Sequence, residues 1–135
     1  MDIREINMED TWEIRHKVMW PDKELNFIKL ENDEKGLHYG IFEKKVLISV
    51  ISLFIQDDRA QFRKFATLKE EQGKGYGSRL LDYLIEESKD LGVKVLWCNA
   101  RENKAEYYQR FGFAKTDKTF EKSGVKYVIM ERNLY

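Results

Sequence analysis

"EEQGKGYGSRLL", residues 70–81, is the stretch that decides the fold. Glycines occupy positions 73, 75 and 77, directly before apolar residues at helical spacing. Each glycine inside a helix costs about 1 kcal/mol relative to alanine. Glycine also permits positive φ and lets a ligand approach the backbone closely. The stretch therefore predicts a helix whose first turn is built to meet another group.

The composition limits which classes of protein the chain can belong to. It has 135 residues, 42% apolar and 13% aromatic, which suits one domain with a hydrophobic core. The 24 Lys and Arg balance the 24 Asp and Glu, so the basic surface of a nucleic-acid-binding protein is not expected. The apolar runs are too short to cross a membrane, and the N-terminus lacks an apolar signal region. We expect a single soluble, cytoplasmic domain over residues 1–135, with neither nucleic acid nor membrane as a partner.

Hydrophobic periodicity predicts the element order β-α-α-β-β-β-α-β-α-β-β. The first two helices are expected at residues 10–20 and 23–32. A strand at 60–68, a helix at 78–92 and a strand at 93–100 form a crossover unit, which makes these two strands parallel. The fold class is therefore α/β, with a mixed sheet and helices on both of its faces.

The glycine stretch "QGKGYG" (72–77) has the chemistry of an anion-binding loop. Amides at a helix N-terminus lack intrahelical acceptors and carry positive partial charge. A dinucleotide-binding fold would place such glycines after the first strand, and the pattern G-x-x-x-x-G-K-[ST] does not match here. The alternative is a glycine-rich turn that binds nothing.

Two segments carry a resemblance to a known family. Gln72-x-x-Gly75-x-Gly77 resembles the acetyl-CoA signature of the GNAT N-acetyltransferase superfamily. "YYQRFGF" (107–113) resembles the tyrosine helix and Gly-Phe turn of the same family, and the element order is similar as well. "RKFAT", "WCNAR" and the C-terminal tail look like a branch of small uncharacterised bacterial members. The resemblance implies a mostly antiparallel sheet with a central, splayed parallel strand pair.

The resemblance also implies that acetyl-CoA is the cosubstrate. Backbone amides of the glycine loop would wrap the pyrophosphate, with a hydroxyl contact from Ser78 and a charge-assisted one from Lys74. The backbone of Phe65 and Thr67 would bind the pantetheine arm like an added strand, next to a bulge that opens a cleft. The expected coenzyme-binding residues are Phe65, Ala66, Thr67, Gln72, Gly73, Lys74, Gly75, Tyr76, Gly77 and Ser78.

Tyr108 matches the tyrosine that the family places near the CoA sulfur, which makes it the candidate general acid. The alternative is a packed core tyrosine with a satisfied hydroxyl. No general base is identified, because the strand that often carries a carboxylate in the family has Arg63 and Lys64 instead. Glu70 and Glu71 are interpreted as solvated loop charges.

Asn99 is an acceptor candidate because it leaves the end of the second parallel strand, where ligands collect. Arg101 is a second candidate, to bind either an acidic group of the acceptor or the coenzyme. The alternatives are a helix cap for Asn99 and an ion pair with Glu102 or Glu106 for Arg101. Cys98 is interpreted as a small buried hydrophobic residue. No metal site is expected, since the two histidines are far apart in the sequence.

The resemblance therefore implies an N-acetyltransferase that moves an acetyl group from acetyl-CoA directly to a primary amine of a small molecule or peptide. The alternative is a non-catalytic CoA-binding or regulatory module, which the missing strand carboxylate favours and Tyr108 opposes. At the level of the family, an exposed C-terminal edge strand would allow a homodimer.

Overall fold

Seven strands and three α-helices form over residues 1–30 and 32–135, which the computed structural model describes without the side chains at positions 25 and 27. The strands are β1 (Asp2–Ile6), β2 (Leu37–Glu43), β3 (Val46–Gln56), β4 (Arg59–Thr67), β5 (Val95–Arg101), β6 (Ala114–Lys122) and β7 (Val125–Asn133). The helices are α1 (Met8–Met19), α2 (Tyr76–Asp90) and α3 (Ala105–Gln109).

The strands form one sheet in the order β1-β2-β3-β4-β5-β7-β6. Neighbouring strands are antiparallel except β4 and β5, which are parallel. This parallel pair joins only Arg59–Gln61 to Val95–Trp97, and the two strands separate after that point. The expected mixed sheet with a splayed central pair is therefore confirmed.

A bulge in β4 lies where the splay begins. Val50 pairs with Ala66 and Ser52 pairs with Arg63, so the single residue between them on β3 faces two residues of β4. One of these is Lys64, whose φ of 54° is uncommon for a residue with a side chain. Because a bulge bends its strand, β4 turns away from β5 here.

Helix α2 covers one face of the sheet and fixes the glycine loop at the end of β4. Its buried leucines pack with Ile51, Leu53 and Phe62 in the main hydrophobic core. Burial of each such side chain stabilises the fold by about 1.5–3 kcal/mol. Gly92, with a φ of 84°, follows the helix end.

Helix α1 covers the opposite face, where Ile14 packs with Val50 and Ala66. Its Arg15 is fully buried and forms a two-pronged ion pair with Asp33, at 2.8 and 3.0 Å. The second predicted helix, at 23–32, includes Glu31, which lies outside the described residues. The structure has two short 3₁₀ turns in this region, at Leu25–Ile28 and Asp33–Lys35. The ion pair explains the difference, since Asp33 also accepts the amide of Leu30 at 2.9 Å and thereby sets the path of the chain.

Candidate active site

The gap between β4 and β5 opens into a cleft of about 1030 Å³. Its walls come from the separated halves of the two strands, the end of α1, the glycine loop with the start of α2, α3 and the hairpin between β6 and β7. The edge of β4 that faces β5 has no paired strand beyond Gln61. The cleft therefore combines an open strand edge with the start of a helix.

The glycine loop adopts a backbone that only glycine accommodates readily. Gly73 and Gly75 have φ values of 81° and 89°, and Gly75 is the N-cap of α2. A Cβ at either position would meet no atom within 4 Å, so the space beside them is free for a ligand. The side chain of Gln72 holds the loop on β4, since its Nε2 donates to the carbonyl of Thr67 at 2.9 Å.

The third glycine serves close packing instead. A Cβ on Gly77 would lie 3.2 Å from the ring of Phe65 and 3.2 Å from Oγ1 of Thr67. Glycine therefore lets the first turn of α2 rest directly against the splayed end of β4. This contact brings the helix start and the open strand edge into one site.

The amides at the start of α2 point to an anion site. After Gln72, the first amide of this segment that reaches a backbone acceptor is that of Arg79, at 3.1 Å from the carbonyl of Gly75. No side chain that the structure describes caps the helix. Donors in this position favour phosphate groups, because the helix N-terminus carries positive partial charge. The residues present therefore fit the pyrophosphate of a coenzyme.

Two polar side chains of the predicted coenzyme site have partners within the protein. The ammonium of Lys74 lies 3.0 Å from Oε2 of Glu71, and Lys74 does not line the cleft. The hydroxyl of Ser78 lies 3.0 Å from the hydroxyl of Tyr107. Tyr107 thus also faces the cleft.

Tyr108 lies on α3 and lines the cleft with its ring against Phe62 and Phe113. Burial raises the pKa of its phenol, with a smaller contribution from Cys98. The phenol therefore stays protonated at neutral pH and can donate a proton. The structure shows a hydrogen bond for the hydroxyl of Tyr107 but none for that of Tyr108 over the described residues.

Cys98 is almost completely buried in β5, and burial raises the pKa of its thiol to about 12. A thiol of this kind is a poor nucleophile, because the thiolate is the reactive form. The structure agrees with its interpretation as a small core residue.

Asn99 and Arg101 alternate with the buried Cys98 and Ala100 along β5, so their side chains point to the opposite face of the sheet. Both line the cleft and both are exposed. Arg101 forms no ion pair with Glu102 or Glu106 among the described residues. Its side chain is therefore available to a ligand.

Sequence reasoning missed four cations of this cleft as candidate ligand-binding residues: Arg63, Lys64, Lys104 and Lys122. Arg63 and Lys64 were noted only as replacements for a carboxylate, although the family resemblance implied a bulge in this strand. Lys122 comes from the distant β6–β7 hairpin. Only the three-dimensional structure brings these residues together.

Two further findings concern the described part of the chain. Residues 1–30 and 32–135 contain no group of three His, Cys, Asp or Glu side chains that could hold a metal ion. In the same ranges no helix combines the length and the apolar character needed to cross a bilayer.

The splayed parallel strand pair beside a glycine-lined helix start has the geometry of a site for an extended, phosphorylated ligand. The chain matches the acetyltransferase (GNAT) domain over residues 6–134 and belongs to this family. It is 28% identical to the uncharacterized N-acetyltransferase YitI of Bacillus subtilis (strain 168), over 99% of this chain and 97% of that protein. It is also 32% identical to the ribosomal protein bS18-alanine N-acetyltransferase of Haemophilus influenzae, over 76% of this chain and 69% of the relative.

A solved structure shows the same fold. A GNAT family acetyltransferase from Elizabethkingia anophelis with acetyl-CoA bound has a TM-score of 0.78 and 18% identity, covering 98% of this chain and 97% of that one. The predicted family and fold are confirmed, and the family and its named relatives support acyltransferase activity.

Proposed function

We propose that this chain transfers an acetyl group from acetyl-CoA directly to a primary amine of a small molecule or peptide. The observation that carries the proposal is the run of amide donors at the open glycine loop, next to the unpaired edge of β4. The E. anophelis structure, which has acetyl-CoA bound, supports the choice of coenzyme.

In this proposal the amides of residues 73–78 hold the pyrophosphate. Phe65 and Thr67 then offer backbone groups to the pantetheine arm along β4, which has no paired strand there. The splay directs this arm into the cleft, towards Tyr108. The thioester of the coenzyme supplies the acetyl group, and the protein supplies position and proton transfer.

Tyr108 is the proposed general acid. Release of the coenzyme requires that its thiolate gain a proton, and the protonated phenol of Tyr108 lies in the cleft wall. A backbone N–H of the bulged strand can polarise the thioester carbonyl, since such donors act strongly where water is excluded.

The incoming amine must be neutral to react. Among the described residues that line the cleft, Glu71 is the only carboxylate, and it is paired with Lys74 at 3.0 Å. We therefore propose that the amine loses its proton to water rather than to a dedicated carboxylate.

Calorimetric titration of acetyl-CoA, with ATP and dephospho-CoA as reference ligands, tests the proposal. Saturable binding of acetyl-CoA is expected, and Gly75→Asp should abolish it by straining the loop and repelling phosphate. Gly92→Asp is a matched control, because Gly92 has a similar φ of 84° and open surroundings but lies at the far end of α2. Absence of binding at millimolar acetyl-CoA would overturn the proposal.

The same titration separates this proposal from a glycine-rich turn that binds nothing. A non-catalytic coenzyme-binding module would bind acetyl-CoA but would release no free thiol with any amine. A thiol-release assay on the protein that binds coenzyme therefore decides between transfer and binding alone.

A further inference from the structure

The charges of the cleft are strongly segregated. The chain as a whole has 24 cationic and 24 acidic side chains. Of the described residues that line the cleft, only Glu71 is acidic, whereas five are cationic: Arg63, Lys64, Arg101, Lys104 and Lys122. Positive charge is thus concentrated in one cavity of a chain whose cationic and acidic side chains are equal in number.

Lys64 is held in this cavity at a structural cost. It occupies the bulge with a φ of 54°, a conformation that costs free energy for a residue with a side chain. Its ammonium is partly removed from water, and Arg63 and Lys122 repel it as well. Burial and these like charges lower the pKa of Lys64 to about 8.

Within the described residues, no carboxylate forms a direct ion pair with Arg63, Lys64 or Lys122. Asp33 acts on Arg63 and Lys64 electrostatically, but both of its oxygens are bound by Arg15. Partly buried charges of one sign are unfavourable unless a group of the opposite sign joins them.

These cations lie on the face of the sheet opposite α2, away from the helix that carries the phosphate loop. Arg63 pairs across the strands with Ser52, whose hydroxyl contacts Arg15 of α1. Residues paired in this way share a face of the sheet. Lys64 precedes the loop and couples electrostatically to Arg63 and Lys122.

The β6–β7 hairpin extends the same face. Arg101 pairs with Tyr127, and Tyr127 pairs with Phe120, so all three side chains share one side of the sheet. Lys122 follows Phe120 by two residues and therefore points the same way. The cations surround the side of the cleft that the proposed coenzyme arm leaves open to the acceptor.

We propose that the acceptor is a small amine that also carries an anionic group, a carboxylate or a phosphate, and that Arg63, Lys64 and Lys122 bind this group. The inference rests on the proposed function and specifies its substrate class. A polycationic amine such as spermidine would meet repulsion in the same place. Arg101 lies next to the site and can contribute a further charge.

The first experiment compares matched amines in a thiol-release assay, after acetyl-CoA binding has been established. β-Alanine is compared with β-alaninamide, O-phosphoethanolamine with ethanolamine, and spermidine serves as the polycation. The anionic member of a pair should have the higher kcat/KM. A nearby anion raises the pKa of an amine, so amine basicity works against the expected result. The two pairs distinguish a carboxylate site from a phosphate site.

The second experiment measures binding without turnover. The CoA-saturated protein is titrated by calorimetry with glutarate, with neutral glutaramide and with O-phosphoethanolamine. At least one anion should bind, and glutaramide should not. Anion binding near Lys64 should be accompanied by proton uptake at about pH 8, because an anion restores the pKa of a lysine that burial has lowered.

Lys122→Gln provides the residue-specific test. It should weaken binding of the anion by about tenfold or more, the loss expected for one charge-assisted hydrogen bond. The Kd for acetyl-CoA should stay within twofold. Lys126→Gln is the matched control, since Lys126 lies on the same hairpin and is exposed but does not line the cleft.

Three results would overturn the inference while leaving coenzyme binding and transfer intact. They are equal kcat/KM for both members of each pair, a preference for spermidine, or no binding of any anion to the CoA-saturated protein. Failure of acetyl-CoA itself to bind would refute the proposed function instead.

Discussion

Replacement of Asp33 by alanine should destabilise the protein severely, because it leaves a buried arginine without its counter-ion. The guanidinium of Arg15 is completely buried, and its Nε has no hydrogen-bond partner among residues 1–30 and 32–135. After the substitution its remaining contacts would be the hydroxyl of Ser52 at 2.9 Å and the carbonyl of Ile28 at 3.4 Å. The indole N–H of Trp12 would also lose its acceptor.

The magnitude follows from this arrangement. Removing one partner of a buried ion pair costs about 3–5 kcal/mol. A domain of this kind has a total stability of roughly 5–15 kcal/mol, so Asp33→Ala should remove a large part of it. The melting temperature should fall by on the order of 10–20 °C.

Urea unfolding followed by circular dichroism measures the effect. Glu13→Ala is the matched control, since it breaks an exposed pair with Lys17 at 2.9 Å and should cost less than about 0.5 kcal/mol. The double variant Arg15→Met/Asp33→Leu should be more stable than Asp33→Ala, because no unpaired charge remains. The reasoning would be refuted if the free energy of unfolding of Asp33→Ala lay within about 1 kcal/mol of the wild-type value. This interval corresponds to about fivefold in the equilibrium constant.

Three further predictions concern titratable groups. Tyr108→Phe should reduce thiol release by about 10²-fold or more with the Kd for acetyl-CoA nearly unchanged, and unaffected turnover would remove Tyr108 as the general acid. Burial alone would raise the pKa of Asp33, but hydrogen bonds from Arg15 and Leu30 lower this pKa below 3.8. The stability that the Asp33 carboxylate contributes is therefore present above pH 3.8 and is lost on further acidification. Acid titration of the free energy of unfolding should therefore be less steep for Asp33→Asn than for the wild type. Burial lowers the pKa of Lys64 from 10.5 to about 8, so the unfolded chain binds more protons than the folded protein between these two pH values. The free energy of unfolding should therefore rise with pH in this interval, and Lys64→Met should show no such rise.

Much of the fold could be predicted because local sequence and global architecture agree. The crossover from the strand before the glycine loop to the strand after α2 has clear periodicity, and the loop itself marks the helix start. The region of residues 23–35 was predicted less well, since its 3₁₀ turns depend on Asp33 meeting Arg15 across 18 positions of the chain. A local pattern contains no information about such a pair.

The candidate site, like the fold, could be predicted only in part from the sequence. The glycine loop and Tyr108 were visible as motifs, because backbone conformation and spacing constrain them. A bulge in β4 was expected from the family resemblance, but its position at Lys64 was not, since lysine is an unusual residue at positive φ. The contact between Ser78 and Tyr107, and the pairing of Lys74 with Glu71, depend on side-chain packing that no spacing rule describes.

The short parallel junction gives this protein two half-sheets, one of four strands and one of three. Only three residue pairs of backbone connect them, between Arg59–Gln61 and Val95–Trp97. A coenzyme arm that forms hydrogen bonds along β4 would occupy the missing strand position and connect the two half-sheets. Ligand bound to the folded state alone stabilises it by about 2.7 kcal/mol at a concentration of 100 times Kd. The supply of coenzyme in a cell would then set not only the rate of transfer but also how long the protein resists proteolysis.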